Sequence, residues 1–150
     1  MLKEGGKAPL FNLLDQDGEK KSLKDFDGKK VVIFFYPKAN TSGWTVEASE
    51  FRDAIKEFKK KGAVVVGISR DKPEAQKKWA DKLGLQFPLL SDPEGKVHQK
   101  YGAWGEKNMY GKKSTGPLRS TIIVGKNGKI LKASYKVKAA GQSAKALESL

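Results

Sequence analysis

Two segments, VVIFF at 31–35 and VVVGIS at 64–69, hold apolar residues almost without interruption. A strand with one wet face alternates in polarity, so a continuous apolar run marks a strand covered on both faces. Between the two runs, Trp44, Ala48, Phe51, Ile55 and Phe58 recur at steps of four, three, four and three. That spacing puts all five on one face of a helix. The helix is predicted from about Gly43 to Lys61, with Gly62 as its terminating glycine. Buried strands separated by a one-faced helix require stacked layers of sheet and helix.

The flanking segments extend this pattern. Residues 10–14 and 20–23 predict a β-hairpin across Asp15-Gln-Asp-Gly18, with Asp17-Gly18 as the tight turn. Residues 22–27 suit a short helical turn, broken at Asp27-Gly28. Asp71 and Pro73 open a second helix that runs to about Leu83. A short strand at 87–90 ends at Ser91-Asp-Pro-Glu-Gly95, and a helix follows at 96–101. The glycine-bearing segment 102–116 reads as a long loop, with Trp104 as a loop anchor or a partner-facing aromatic. Residues 119–124 and 129–135 form a hairpin across Lys126-Asn127-Gly128, and 139–150 read as a closing helix. The pattern predicts an α/β chain of one domain over 1–150. Its layout is a thioredoxin-like fold: a central mixed β-sheet flanked by helices, with an N-terminal β-hairpin.

Composition removes several classes of function. Lysine and arginine outnumber aspartate and glutamate by 30 to 17, a net charge of +13. The basic residues are dispersed, however, and Lys59-Lys60-Lys61 is placed at a helix end, where cations favour the macrodipole. This argues against a specific nucleic-acid interface. The chain has no cysteine, which excludes disulfides, thiolate metal sites and any thiol catalysis by the chain as written. With His98 as the single histidine, no zinc or copper cluster is expected, and His98 reads as a surface helix residue. No metal, haem, flavin or nicotinamide site is visible. There is no charged-then-apolar leader and no run near the roughly 20 apolar residues of a membrane span. A soluble, cytoplasmic chain is the expectation.

Across the strand-to-helix corner, Pro37, Thr41 and Trp44 stand in the spacing P-x-x-x-T-x-x-W. Taken singly, Pro37 is a strand terminator, Thr41 an N-cap, Trp44 a core residue of the helix stripe and Arg119 a solvated strand end. Taken with the ordered series Gly6-Lys-Ala-Pro9, Asp15-Gln-Asp-Gly18, Tyr36-Pro-Lys38, Glu50-Phe-Arg-Asp53, Gly67-Ile-Ser69, Leu89-Leu-Ser-Asp92, Trp104-Gly-Glu-Lys107 and Gly111-Lys112, they acquire a second meaning. Over nearly its whole length the sequence resembles the Q-type peroxiredoxins, also called bacterioferritin comigratory proteins.

The resemblance implies a thiol peroxidase that reduces hydrogen peroxide or organic hydroperoxides, with thioredoxin or a similar dithiol as electron donor and no cofactor. Relatives of this type are monomers or weak dimers. It assigns the peroxidatic cysteine to position 44, held here by Trp44, and implies that Thr41 and Arg119 complete its pocket while Pro37 shields it. A sulfur in a helix's first turn meets unsatisfied N–H groups and the positive dipole end, and a nearby guanidinium further lowers its pKa. The resolving cysteine of many relatives falls at Ser49, which is an engineered replacement or a native residue.

An indole carries no nucleophilic sulfur. The chain is therefore either a cysteine-free variant of an active enzyme or a natural non-enzymatic relative that binds a thioredoxin-like partner or nucleic acid. A tryptophan in a cysteine-sized pocket is overpacked. It is expected to disturb the first helical turn or swing toward solvent.

Overall fold

The structure is a computed structural model that describes every residue except Met1 and Tyr110. The chain runs β1 (Asn12–Leu14), β2 (Lys20–Ser22), a 3-10 turn (Leu23–Phe26), β3 (Lys30–Phe35), α1 (Ser42–Asp53), α2 (Ile55–Lys60), β4 (Ala63–Ser69), α3 (Pro73–Leu83) and β5 (Leu89–Ser91). It continues with α4 (Lys96–Lys100), β6 (Trp104–Met109), β7 (Lys112–Pro117), β8 (Ser120–Val124), β9 (Ile130–Ser134) and α5 (Gln142–Glu148). Seven strands form one mixed sheet in the order β2-β1-β5-β4-β3-β8-β9. β3 pairs parallel with β4 and antiparallel with β8, and β4 pairs parallel with β5.

The two continuous apolar runs are β3 and β4, side by side at the centre. Successive strand residues point to opposite faces. Val31, Ile33 and Phe35 thus enter a cluster with Phe11, Val97 and Tyr101, while Val32, Phe34 and Tyr36 enter another with Trp44, Phe51 and Phe58. The second cluster lies beneath α1 and α2, so the sheet delivers α1 to one fixed face. The N-terminal hairpin forms, but its turn is centred on Gln16-Asp17 rather than Asp17-Gly18: the Gly18 N–H donates to the Asp15 carbonyl at 3.0 Å, and Asp15 Oδ1 accepts from the N–H groups of Asp17 (2.9 Å) and Glu19 (3.0 Å).

Four further expectations are corrected. The helix predicted from Gly43 to Lys61 is two helices, interrupted at Ala54. Arg52 reaches the Leu83 carbonyl at 2.8 Å and ties the end of α1 to α3, while Phe51 and Phe58 both stay buried. The closing helix begins at Gln142, after Gly141 in the left-handed region, rather than at Ala139.

The segment 102–116 is no loop. It contains the paired strands β6 and β7 of a separate two-stranded sheet. Lys112 to Thr115 are all exposed, so no period-two apolar pattern existed to reveal the ribbon. Trp104 is the anchor at its base: Arg70 lies 5.4 Å from the ring centroid, and a Cβ on Gly95 would stand 2.8 Å from the indole. Gly95 has φ +72, so glycine is required there for conformation as well as for space.

His98, expected at the surface, is fully buried between Phe35 and Trp104. The reason is a partner supplied by the chain just before α4. Asp92 Oδ2 accepts from the His98 backbone N–H at 2.9 Å and lies 2.6 Å from His98 Nδ1. Burial alone would raise the Asp92 carboxyl, but the hydrogen bonds from His98 outweigh it and hold the group below the usual carboxylate range.

A depressed carboxylate pKa contributes stability above the unfolded value, about 3.9, and that stability is lost as pH falls through the folded value. Urea unfolding measured from about pH 6 to about pH 3 should show this loss. Asp92→Asn should lower stability by about 1–3 kcal/mol at the upper pH and flatten the acid-side decline. An unchanged slope in Asp92→Asn would assign the acid sensitivity to other groups.

Candidate active site

The chain leaves β3 at Tyr36, whose N–H donates to the Ile68 carbonyl at 3.1 Å, and enters α1 at Ser42. Asp71 Oδ2 accepts from the Ala39 N–H (2.8 Å) and from Ser69 Oγ (2.8 Å), which pins the connecting segment to the end of β4. Thr41 is the N-cap: its Oγ1 accepts from the Trp44 N–H at 3.4 Å and donates to the Lys38 carbonyl at 3.0 Å. The Thr41 carbonyl accepts the Thr45 N–H at 2.9 Å, so the first helical turn is regular. Pro37 is half-buried on the approach to this turn, and Thr41 is exposed.

Trp44 neither disturbs that turn nor turns outward. Its side chain is 1% exposed, with the ring 6.0 Å from Tyr36 in the core cluster beneath α1. The expectation of a displaced ring is overturned because the stripe it shares with Ala48 and Phe51 faces the sheet, where an aromatic ring gains more from burial than it loses in fit. A cost remains visible. The indole Nε1 is buried near the Tyr36 hydroxyl, without a well-formed hydrogen bond to any of the described residues. Leaving such a donor unsatisfied costs about 1–3 kcal/mol.

Arg119 immediately precedes β8, and its carbonyl accepts from the Val137 N–H at 3.0 Å. It is not a solvated strand end. Its Nη1 donates to Glu47 Oε1 at 2.5 Å, and its Nη2 would lie 3.0 Å from a Cβ on Gly43. The guanidinium therefore lies against the first turn of α1, and Gly43 leaves room for that approach. The structure thus brings Thr41, Trp44 and Arg119 to one helix end. Ser49 is separate: it sits half-buried further along the same unbroken helix, five residues and about 140° around from Trp44.

Glu47 is the member of this site that sequence reasoning missed. It is fully buried, and its Oε2 has no hydrogen-bond partner among the described residues. The signal was present: position 47 falls three after Trp44 and four before Phe51, inside the buried stripe, where a carboxylate is out of place. Burial pushes its carboxyl up to about 7, although the Arg119 charge and hydrogen bond oppose the shift. Next to it, burial also raises the Tyr36 phenol, whose hydroxyl donates to Gln76 Oε1. Burial and the Arg119 charge lower the Lys107 ammonium on β6. Among the described residues no group of three or more His, Cys, Asp or Glu could hold a metal ion.

A regular helix N-terminus with a hydroxyl N-cap, a guanidinium laid on its first turn and a buried acid behind that guanidinium thus meet at one point of the fold. Comparison with known proteins places the chain in a family. The profile of the AhpC/TSA family matches residues 5–133. Peroxiredoxin Bcp of Escherichia coli is 48% identical over 129 residues, 86% of this chain and 83% of its own length. The bacterioferritin comigratory protein of Xanthomonas campestris, studied for its alkyl peroxide reduction activity, superposes with a TM-score of 0.87 at 36% identity, over 93% of this chain and 88% of that one. A Cys-to-Ser mutant of Xylella fastidiosa PrxQ gives a TM-score of 0.92 at 30% identity, covering 99% and 94%. The chain belongs to the AhpC/TSA family, within its peroxiredoxin Q (Bcp) branch, and has the thioredoxin-like fold of that branch.

A carboxyl raised on folding contributes stability below its unfolded pKa, which is lost as pH rises through the folded value. Glu47 should thus make the protein less stable between pH 4.5 and about 7, with a slope of at most about 1.4 kcal/mol per pH unit. Chemical denaturation of Glu47→Gln over that range should show this component gone, and a retained slope would show that another group titrates.

Proposed function

We infer that this chain is a peroxiredoxin scaffold whose peroxidatic position is blocked. In a cysteine-bearing parent, the residue at 44 would attack the O–O bond of hydrogen peroxide or an organic hydroperoxide as a thiolate. The sulfur would become a sulfenic acid while water or an alcohol departs. Arg119, held by Glu47, would stabilise charge developing on the peroxide oxygens, and the Thr41 hydroxyl would donate to the bound peroxide. Pro37 would limit access of water. A dithiol of the thioredoxin type would return the sulfur to the thiol, with Ser49 marking the resolving position of many relatives.

One observation carries the conclusion that this chain is inactive as a thiol peroxidase. The residue at the head of α1 is Trp44, and no cysteine stands elsewhere in the sequence to replace it. The poorly satisfied indole Nε1, and a Glu47 Oε2 without a partner among the described residues, support a site shaped for a smaller residue. They favour an altered form of an active enzyme. The regular first turn around a buried Trp44 supports the second reading, a relative that keeps the fold for binding a thioredoxin-like partner or nucleic acid. The proposed setting is the cytoplasm, as a monomer or weak dimer.

Peroxide consumption with dithiothreitol as reductant, measured on Trp44→Cys beside the unaltered chain, separates the two. Turnover about 100-fold or more above the unaltered chain is expected, since nucleophile and framework are then reunited. A folded but inactive Trp44→Cys protein would move the binding reading to the front. Dithiol-dependent peroxide reduction by the unaltered chain would overturn the blocked-site reading itself.

A further inference from the structure

The seam between α5 and the β8–β9 edge of the sheet has the wrong chemistry for a packing contact. Thr121 pairs with Ser134 and Ile123 with Lys132 across the two strands, so these four side chains share one sheet face. On α5, Gln142, Lys145, Ala146 and Ser149 follow the helix spacing i, i+3, i+4 and i+7 and line the same space. A helix laid on a sheet ordinarily presents an apolar stripe. Here the two surfaces enclose a cleft of about 370 Å³ whose apolar lining is only Ile123, Val137 and Ala146.

Among the described residues, a buried amide N–H and two lysines on the walls of the cleft lack an anionic acceptor. Gln142 is 2% exposed, and its Oε1 accepts from Thr121 Oγ1 at 3.0 Å. That bond orients the amide and leaves Nε2 buried with no partner among the described residues. The Lys132 ammonium donates to Ser149 Oγ at 3.3 Å. Neither Lys132 nor Lys145 has a carboxylate within 4.0 Å among the described ion pairs. Glu148 also lines the cleft and is its one acidic group. Two exposed ammonium groups without a carboxylate partner among the described residues, hydroxyls and a buried amide around a small cavity match the oxygens of a tetrahedral anion.

We propose that the cleft between α5 and β8–β9 binds a phosphate group, free or as the monoester of a small organic molecule. The phosphate sits against Lys132, Lys145 and the Gln142 amide, and the volume beyond it accommodates a modest organic substituent against Ile123 and Val137. This site lies outside the Trp44 framework and is independent of peroxide chemistry.

The test is titration with sodium phosphate followed by ¹⁵N–¹H spectra, against sodium chloride of matched ionic strength. Saturable shifts confined to residues 132–134 and 142–149 are expected. The double variant Lys132→Gln/Lys145→Gln should weaken the affinity at least about tenfold, whereas Lys78→Gln/Lys82→Gln, which removes the same charge from α3, should not. Shifts that never saturate, or an equal loss in both variants, would mean an adventitious ion only and overturn the site. Adenosine monophosphate is the second probe. Tighter binding than inorganic phosphate at the same residues supports an ester ligand, and equal binding supports the free anion. Binding of the monophosphate elsewhere, with no effect of inorganic phosphate on the cleft, would also overturn the proposal.

Discussion

The ion pair between Glu47 and Arg119 holds the site together, and it does so from inside the protein. A carboxylate taken out of water is expensive, and a guanidinium is the partner best able to compensate it. Because Glu47 sits one turn after Trp44 and Arg119 sits at the start of β8, the pair ties the head of α1 to a strand far away in sequence. It also fixes where the guanidinium can lie, against Gly43 in the first helical turn. Removing either partner would strand a buried charge, so the pair constrains both elements at once.

The central sheet makes that pairing possible. β3 is paired with β4 on one side and β8 on the other, so the strand that feeds α1 lies beside the strand that Arg119 immediately precedes. Alternate residues of β3 build two clusters on opposite faces. One of them, with Phe34 stacked on Phe51 at 4.7 Å, seats α1 over the sheet. Trp44 extends this aromatic layer by one more ring. That accounts for its burial within a regular helix, while its poorly satisfied Nε1 records the cost of placing an N–H group in an apolar layer.

Local patterns were legible wherever one face of an element was apolar. The central strands, α1, α3 and both predicted hairpins announced themselves by period and turn chemistry. The β6–β7 ribbon did not, because it is held by cross-strand hydrogen bonds and a tryptophan anchor rather than by an apolar face. His98 was misjudged for a related reason. A lone histidine on a short helix says nothing about burial until Asp92, brought beside it by the turn after β5, supplies the carboxylate that makes burial tolerable. Of the residues that meet at the head of α1, Thr41 and Trp44 stood in an ordered motif and Arg119 was implied by the resemblance, whereas Glu47 was missed although a carboxylate is out of place in a buried stripe.

The sequence by itself determined the alternation of buried strands and helices, the family pattern around Pro37, Thr41 and Trp44, and the absence of any cysteine. Those properties depend on composition and on local periods, which survive in a linear string. Only the tertiary structure decided that Glu47 and Arg119 meet, that the indole of Trp44 points into the core, and that a polar cleft opens beneath α5. Each of these depends on which strands become neighbours. That ordering arises from burying both faces of one sheet, which no local stretch of sequence encodes.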